Sequence, residues 1–222
     1  MTTNYFINQK ETKKLFYNQY LYKAALHNPL ATIFRDKNFT YARQQLDILQ
    51  LKYESGKKLQ LNQHRKSVSV EQFVAAKFLL AELDNRNDYQ IRIECPRMSI
   101  YSNDKKWLKY LMSKPLKFFE FYSPDQKHIH LLQKNTILIN DVNFKYKYKV
   151  TLNNKVDPNF YNWLVNNPSK VKVGETCLEG IKKGQYVRGF YLYITDEKIL
   201  TLVNLMIGSQ IARIDNIVYK SS

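Results

Sequence analysis

"FKYKYKVTL", residues 144–152, alternates without a break: Phe144, Tyr146, Tyr148, Val150 and Leu152 share one parity, and Lys145, Lys147, Lys149 and Thr151 the other. Successive side chains of a strand point to opposite faces. The stretch therefore predicts a strand with one aromatic and aliphatic face and one face of ammonium groups. Like charges in a row repel, so the lysine face is either a solvated edge or a surface held for something negative.

The elements C-terminal to this strand set the fold class. A helix is expected over "PNFYNWLVNN" (158–167), with Pro158 in its first turn. Strands "KVKVGETCL" (170–178) and "YVRGFYLYI" (186–194), helix "DEKILTLVNLMIG" (196–208) and strand "IARIDNIVY" (211–219) complete the order βαββαβ. That order, over residues 142–222, predicts a ferredoxin-like split βαβ unit. Upstream, residues 88–141 read as a mixed segment. It holds two extended runs around Cys95-Pro96, a capped helix (103–113) and the strands "KFFEFYS", "HIHLL" and "TILIN".

Residues 1–87 read as a helical basic region. Leu15, Tyr22 and Leu26 line one face of a helix over 11–27 that Pro29 ends. Leu46, Leu49 and Tyr53 do the same over 41–56, with Gly56 as a stop. A basic connector (56–67) comes next, and Ser69 with Gln72 forms a capping box that opens an apolar helix from Phe73 to Leu83. The expected architecture is α+β, a helical N-terminal region followed by antiparallel-sheet elements.

The formal net charge is +16 over 222 residues. A balance that far from zero costs self-repulsion and points to a polyanionic partner. An AT-rich coding bias would also inflate lysine. At 44% hydrophobic the chain lies well above the disordered class. No run of ~18 apolar residues predicts a membrane span, and the N-terminus has no apolar core of signal-peptide type. Cys95 and Cys177 stand alone, so free thiols, a reducing intracellular location and no zinc site are expected.

Face assignment gives the candidate binding surface. Val171, Val173, Phe190, Leu192, Ile194, Ala212, Ile214 and Val218 go inward by parity. The open face then carries Lys145, Lys147, Lys149, Lys170, Lys172, Tyr191, Tyr193, Arg213 and Tyr219, with Arg188 entering the same strand and Gly189 beside it. Cations flanking exposed rings suit single-stranded nucleic acid, whose phosphates take the charge while bases stack on the rings. The bland account is that another layer covers these tyrosines.

"RGFYLYI" (188–194) resembles the strand-3 motif of the RNA-recognition-motif family, and "YKVTLN" (148–153) echoes its strand-1 motif. Tyr191 stands where that family has a small residue, and Leu192 where it has a stacking aromatic. The resemblance implies a stacking ring at Phe190, which parity instead turns inward.

His128-Ile129-His130 resembles the metal motif of HUH single-strand endonucleases. On a strand both imidazoles would share a face and a divalent metal, and Tyr17 or Tyr20 in "YNQYLYK" would be the nucleophile the resemblance implies. That family's relaxase branch uses a third histidine, and only His27 and His64 remain. No phosphate-binding, hydrolase or dinucleotide motif is present, and none calls for a cofactor.

"YSNDKKWL" (101–108) and "YITDEKIL" (193–200) echo each other: strand-end Tyr, capping residue, Asp, Lys, Leu. Any strand-to-capped-helix junction can look so, and that account is preferred to duplication. The basic N-terminal region, with Lys10, Lys13, Lys14, Arg43, Arg65 and Lys66, is a second candidate contact or a protein-docking module. The function expected first is a non-enzymatic, intracellular nucleic-acid-binding protein for single-stranded RNA or DNA. The alternatives are a metal-dependent single-strand endonuclease, and a structural protein of a virus or large ribonucleoprotein.

Overall fold

The stretch 11–27 read as the first helix forms no helix: it runs from the end of β1 (Asn8–Glu11) through an irregular segment into β2 (Tyr22–His27). Leu15, Tyr22 and Leu26 satisfy a helical spacing, but Tyr22, Ala24 and Leu26 also satisfy period two. Pairing decides between them: β2 takes a neighbour on each side, and Ala24, Ala25 and Leu26 are fully buried. A short apolar run cannot separate strand from helix by periodicity alone.

The computed structural model describes residues 6–60, 67–141 and 143–220; His64, Arg65, Lys66 and the middle of the basic connector lie outside them. The chain divides into two units, Met1–Thr12 with Gln19–Asp125, and Lys13–Asn18 with Gln126–Ser222. The boundary near Asp125 replaces those expected at 87 and 141. The helices of the N-terminal region and the strands after Asp88 belong to one unit, because each covers the other's apolar face.

In unit 1, β1 and β2 are followed by α1 (Phe39–Glu54), α2 (Val70–Asp84), β3 (Tyr89–Glu94), β4 (Arg97–Ser102), α3 (Lys105–Met112) and β5 (Phe118–Ser123). Asn38 caps α1, and Gly56, at φ 67, lies just past its end. The expected capping box of Ser69 and Gln72 opens α2. The sheet order is β1-β5-β2-β4-β3, with only the β1–β5 pair parallel. Leu26, Phe34, Leu49, Leu79, Met98, Ile100 and Phe118 form its core.

On the sheet face away from these helices, Lys10, Lys23 and Arg97 converge on Glu120, which is 7% exposed. Burial pushes the Glu120 carboxyl up, but the hydrogen bonds from Lys10 and Lys23 outweigh it and hold the group below its ordinary value. A carboxylate depressed in the folded state adds stability that is present above its unfolded pKa of about 4.3 and is lost as pH falls through the folded value. Glu120→Gln should therefore flatten the acid limb of stability between about pH 5 and pH 2. An acid limb identical to wild type in pH-dependent urea melts would refute it.

In unit 2, β6 (Thr136–Ile139) precedes β7 (Tyr148–Leu152), α4 (Asn159–Val165), β8 (Val171–Val173), α5 (Glu175–Lys182), β9 (Tyr191–Ile194), α6 (Glu197–Ile207) and β10 (Ile211–Tyr219). The order β6-β10-β7-β9-β8, with β6–β10 parallel and the other pairs antiparallel, repeats that of unit 1. Its core joins Val150, Leu152, Leu192 and Ile194 of the sheet to Phe160, Ile181, Val203 and Ile207 of the helices. Two extents differ from expectation. Residues 175–182 are a helix rather than the end of a strand, and the strand at 186–194 begins only at Tyr191. Gly174 and Gly189, the latter at φ 84, end the regular pattern before each of these elements.

The echoed stretches lie at the same junction in the two units, β4 to α3 and β9 to α6. Asp104 and Asp196 cap these helices, accepting hydrogen bonds from the backbone N–H of Trp107 (2.9 Å) and Ile199 (3.0 Å). No helix among the described residues is long and apolar enough to cross a membrane.

Candidate nucleic-acid interface

Strand pairing in unit 2 assembles the face away from the helices. Across one row stand Asp215 on β10, Lys149 on β7, Tyr193 on β9 and Lys172 on β8; the next holds Arg213, Thr151 and Tyr191. Alternation alone puts them there, since Val150, Leu192 and Ile214 between them face the core.

Lys149 lies at the centre, with Nζ 3.7 Å from the centroid of the Tyr191 ring and 5.9 Å from that of Tyr193. The two rings meet edge to face at 5.3 Å, and Tyr191 is 42% exposed. Burial lowers the Lys149 pKa; Asp215 opposes that, and Lys14 and Arg213 add to it. Asp215 is fully buried, taking Lys14 Nζ at 2.5 Å on one oxygen and Arg213 Nε at 3.0 Å on the other. Three cations thus surround one carboxylate, leaving a local excess of positive charge. Thr151 Oγ1, in the middle of the face, is buried without a hydrogen-bond partner.

The remaining expected residues divide. Lys172 and Arg213 are exposed on the face, as parity requires. Lys145 and Lys147 precede β7; Lys145 reaches the Tyr146 ring at 5.4 Å. Phe144 and Tyr146 do not continue the inward parity of Val150. They pack on Tyr193, at 5.0 and 6.0 Å between centroids, and so cover part of the face. Lys170 is exposed just before β8, and Arg188 is exposed in the turn before β9, outside the strand. Phe190 is 38% exposed rather than buried, because β9 begins after it. Ala212, expected inward, is exposed at a bulge in β10.

His128 and His130 do not share a strand face. A 3-10 turn, Ile129–Leu131, occupies that stretch, so the alternation that would have joined the imidazoles is absent. Among the described residues no three His, Cys, Asp or Glu side chains stand close enough to hold a metal. Tyr17 and Tyr20 are not on a helix either. Tyr20 is buried and belongs to unit 1, and Tyr17 is exposed and belongs to unit 2.

Sequence reasoning missed Asp215, and it named Lys14 only within the basic N-terminal region and not with this face. Asp215 shares the parity of Arg213 in "IARIDNIVY", which was a usable signal. Lys14 carried none, because a strand contact 201 positions away leaves no local trace. No protein-family model, curated protein or solved structure matches the chain.

Proposed function

We propose that the protein binds single-stranded nucleic acid on the unit 2 face, without catalysing a reaction on it. The observation that carries this reading is the pair of tyrosine rings, Tyr191 and Tyr193, bracketed by Lys149, Lys172 and Arg213. A base approaching Tyr191 displaces the Lys149 ammonium from the ring face, and the freed ammonium meets the adjoining phosphate. Such stacking is worth about 1–3 kcal/mol per base and tolerates any sequence.

The corresponding face of unit 1 supports the assignment by contrast. Lys23 stands there opposite Tyr101 as Lys149 stands opposite Tyr193, yet Ala25, Ser99, Tyr101 and Glu120 are each under 9% exposed. The finer fold belongs to the same reading: each unit is a ferredoxin-like split βαβ module with one added edge strand, and the shared strand order and echoed junctions fit duplication. Both thiols are free, which suits an intracellular protein.

Binding to a single-stranded 20-mer should fall with salt. About three phosphate contacts give a slope of log K against log salt near −2, at ~0.7 per contact. Changing Lys145, Lys147 and Lys149 together to Gln should lower the slope by about 0.7, the share of Lys149, since Lys145 and Lys147 precede β7. A slope indistinguishable from zero in fluorescence anisotropy, between about 50 and 200 mM salt, removes the reading.

A further inference from the structure

We propose that the unit 2 face holds the terminal phosphate of a single strand between Arg213, Lys149 and Thr151; this rests on the single-strand reading above. Register builds the seat. Across the β10–β7 pair Arg213 stands opposite Thr151 and Asp215 opposite Lys149, all on the face away from the helices. Opposite residues lie about 5 Å apart, and same-face residues of one strand about 7 Å apart. Two long side chains cross this small quadrilateral. The Arg213 guanidinium runs along β10, with Nε donating to Asp215 Oδ2 (3.0 Å). Lys149 runs along β7 and sets Nζ 3.7 Å from the centroid of the Tyr191 ring, which stands opposite Thr151.

Donors outnumber acceptors there. Among the described residues, the terminal nitrogens of Arg213 and the Lys149 ammonium donate to no protein oxygen, and Thr151 Oγ1 is buried without a partner. A buried, unpaired hydroxyl weakens the fold, and valine would fill the same volume without it. A ligand acceptor accounts for threonine at this position. Charge says which acceptor. Lys14, Lys149 and Arg213 against the one carboxylate of Asp215 leave a surplus of two positive charges. An internal phosphodiester carries about one negative charge. A terminal phosphomonoester carries about 1.5 to 2 near neutral pH and offers three acceptor oxygens, one for each donor. Unit 1 has the closed counterpart, where Lys10, Lys23 and Arg97 all bond to Glu120. Lys23 stands opposite Tyr101 as Lys149 stands opposite Tyr193, but Lys149 makes no such bond. On binding, the Lys149 ammonium swings from the Tyr191 ring to the phosphate and the end base takes its place. The Thr151 hydroxyl, opened by that movement, donates to the third oxygen.

The test uses the full chain and the single-stranded 20-mer, as DNA and as RNA, with its dye on an internal base. The strand ends in hydroxyls, in a 5′-phosphate or in a 3′-phosphate. One of the two phosphates should tighten binding at least about 10-fold, the worth of a hydrogen bond to a charged group. Thr151→Val should melt no lower than wild type and should cut that phosphate-to-hydroxyl ratio at least about 5-fold, whereas Thr151→Ser should keep it. If neither phosphate tightens a strand that wild type binds, or if Thr151→Val keeps the full ratio, the inference fails and the face reading stands. If wild type binds no strand, both fail. Should Thr151→Val melt lower, Arg213→Gln decides by the same ratio: a fall supports the proposal, and an unchanged ratio overturns it.

Discussion

Replacing Asp215 by alanine is expected to lower the unfolding free energy by about 2–4 kcal/mol. The carboxylate is fully buried and answers Lys14 and Arg213 directly, with Lys149 across the strand pair. Removing it strands three cations around one point, and a buried charge left without its partner typically costs about 3–5 kcal/mol. The lower figure applies because the Arg213 side chain is 44% exposed and the Lys14 side chain 24%, so both can recover some water. The urea midpoint should drop with an unchanged slope, the sign of lost stability rather than altered compactness. A loss under about 0.5 kcal/mol would show that the cluster is ordinary surface.

That carboxylate also shows where the sequence was legible and where it was not. The extent of the last strand was readable, Ile211–Tyr219 as expected, but its faces were not throughout, since a bulge near its start turns Ala212 outward. The cap at Ser69 was readable because capping is settled within four residues, whereas Asp104 and Asp196, expected one position inside their helices, are themselves the caps. β2 was not readable, since "YKAALH" fits a helical and a two-residue spacing alike and only two neighbours hydrogen-bonded to it make it a strand. The histidine pair failed in the opposite way. "HIHL" (128–131) alternates but pairs with no strand among the described residues, and Ile129–Leu131 folds as a 3-10 turn.

The candidate face was half legible. Lys149, Lys172, Tyr191, Tyr193 and Arg213 come out of parity once the strands are known. Lys145, Lys147, Lys170 and Arg188 lie beyond the strand ends, where parity no longer fixes a direction. Phe144 and Tyr146 folded onto Tyr193 because a ring leaving the strand gains more by packing on another ring than by facing water.

The tyrosine pair carries the largest expected effect on binding. Tyr191→Leu with Tyr193→Leu should weaken single-strand binding by about 2–4 kcal/mol, roughly 30- to 1000-fold, while the salt slope hardly moves. The rings touch, so the two losses should not add simply. Their effects on stability should differ. Tyr191 is 42% exposed, and its replacement should stay within about 0.5 kcal/mol of wild type. Tyr193 packs on Phe144 and Tyr146 and has its phenol pKa raised by burial, so its loss should cost about 1–2 kcal/mol. Tyr191→Leu alone is therefore the clean measurement. If it melts like wild type and binds a single strand as tightly, the ring is not a stacking surface, and the cations of this face act without it.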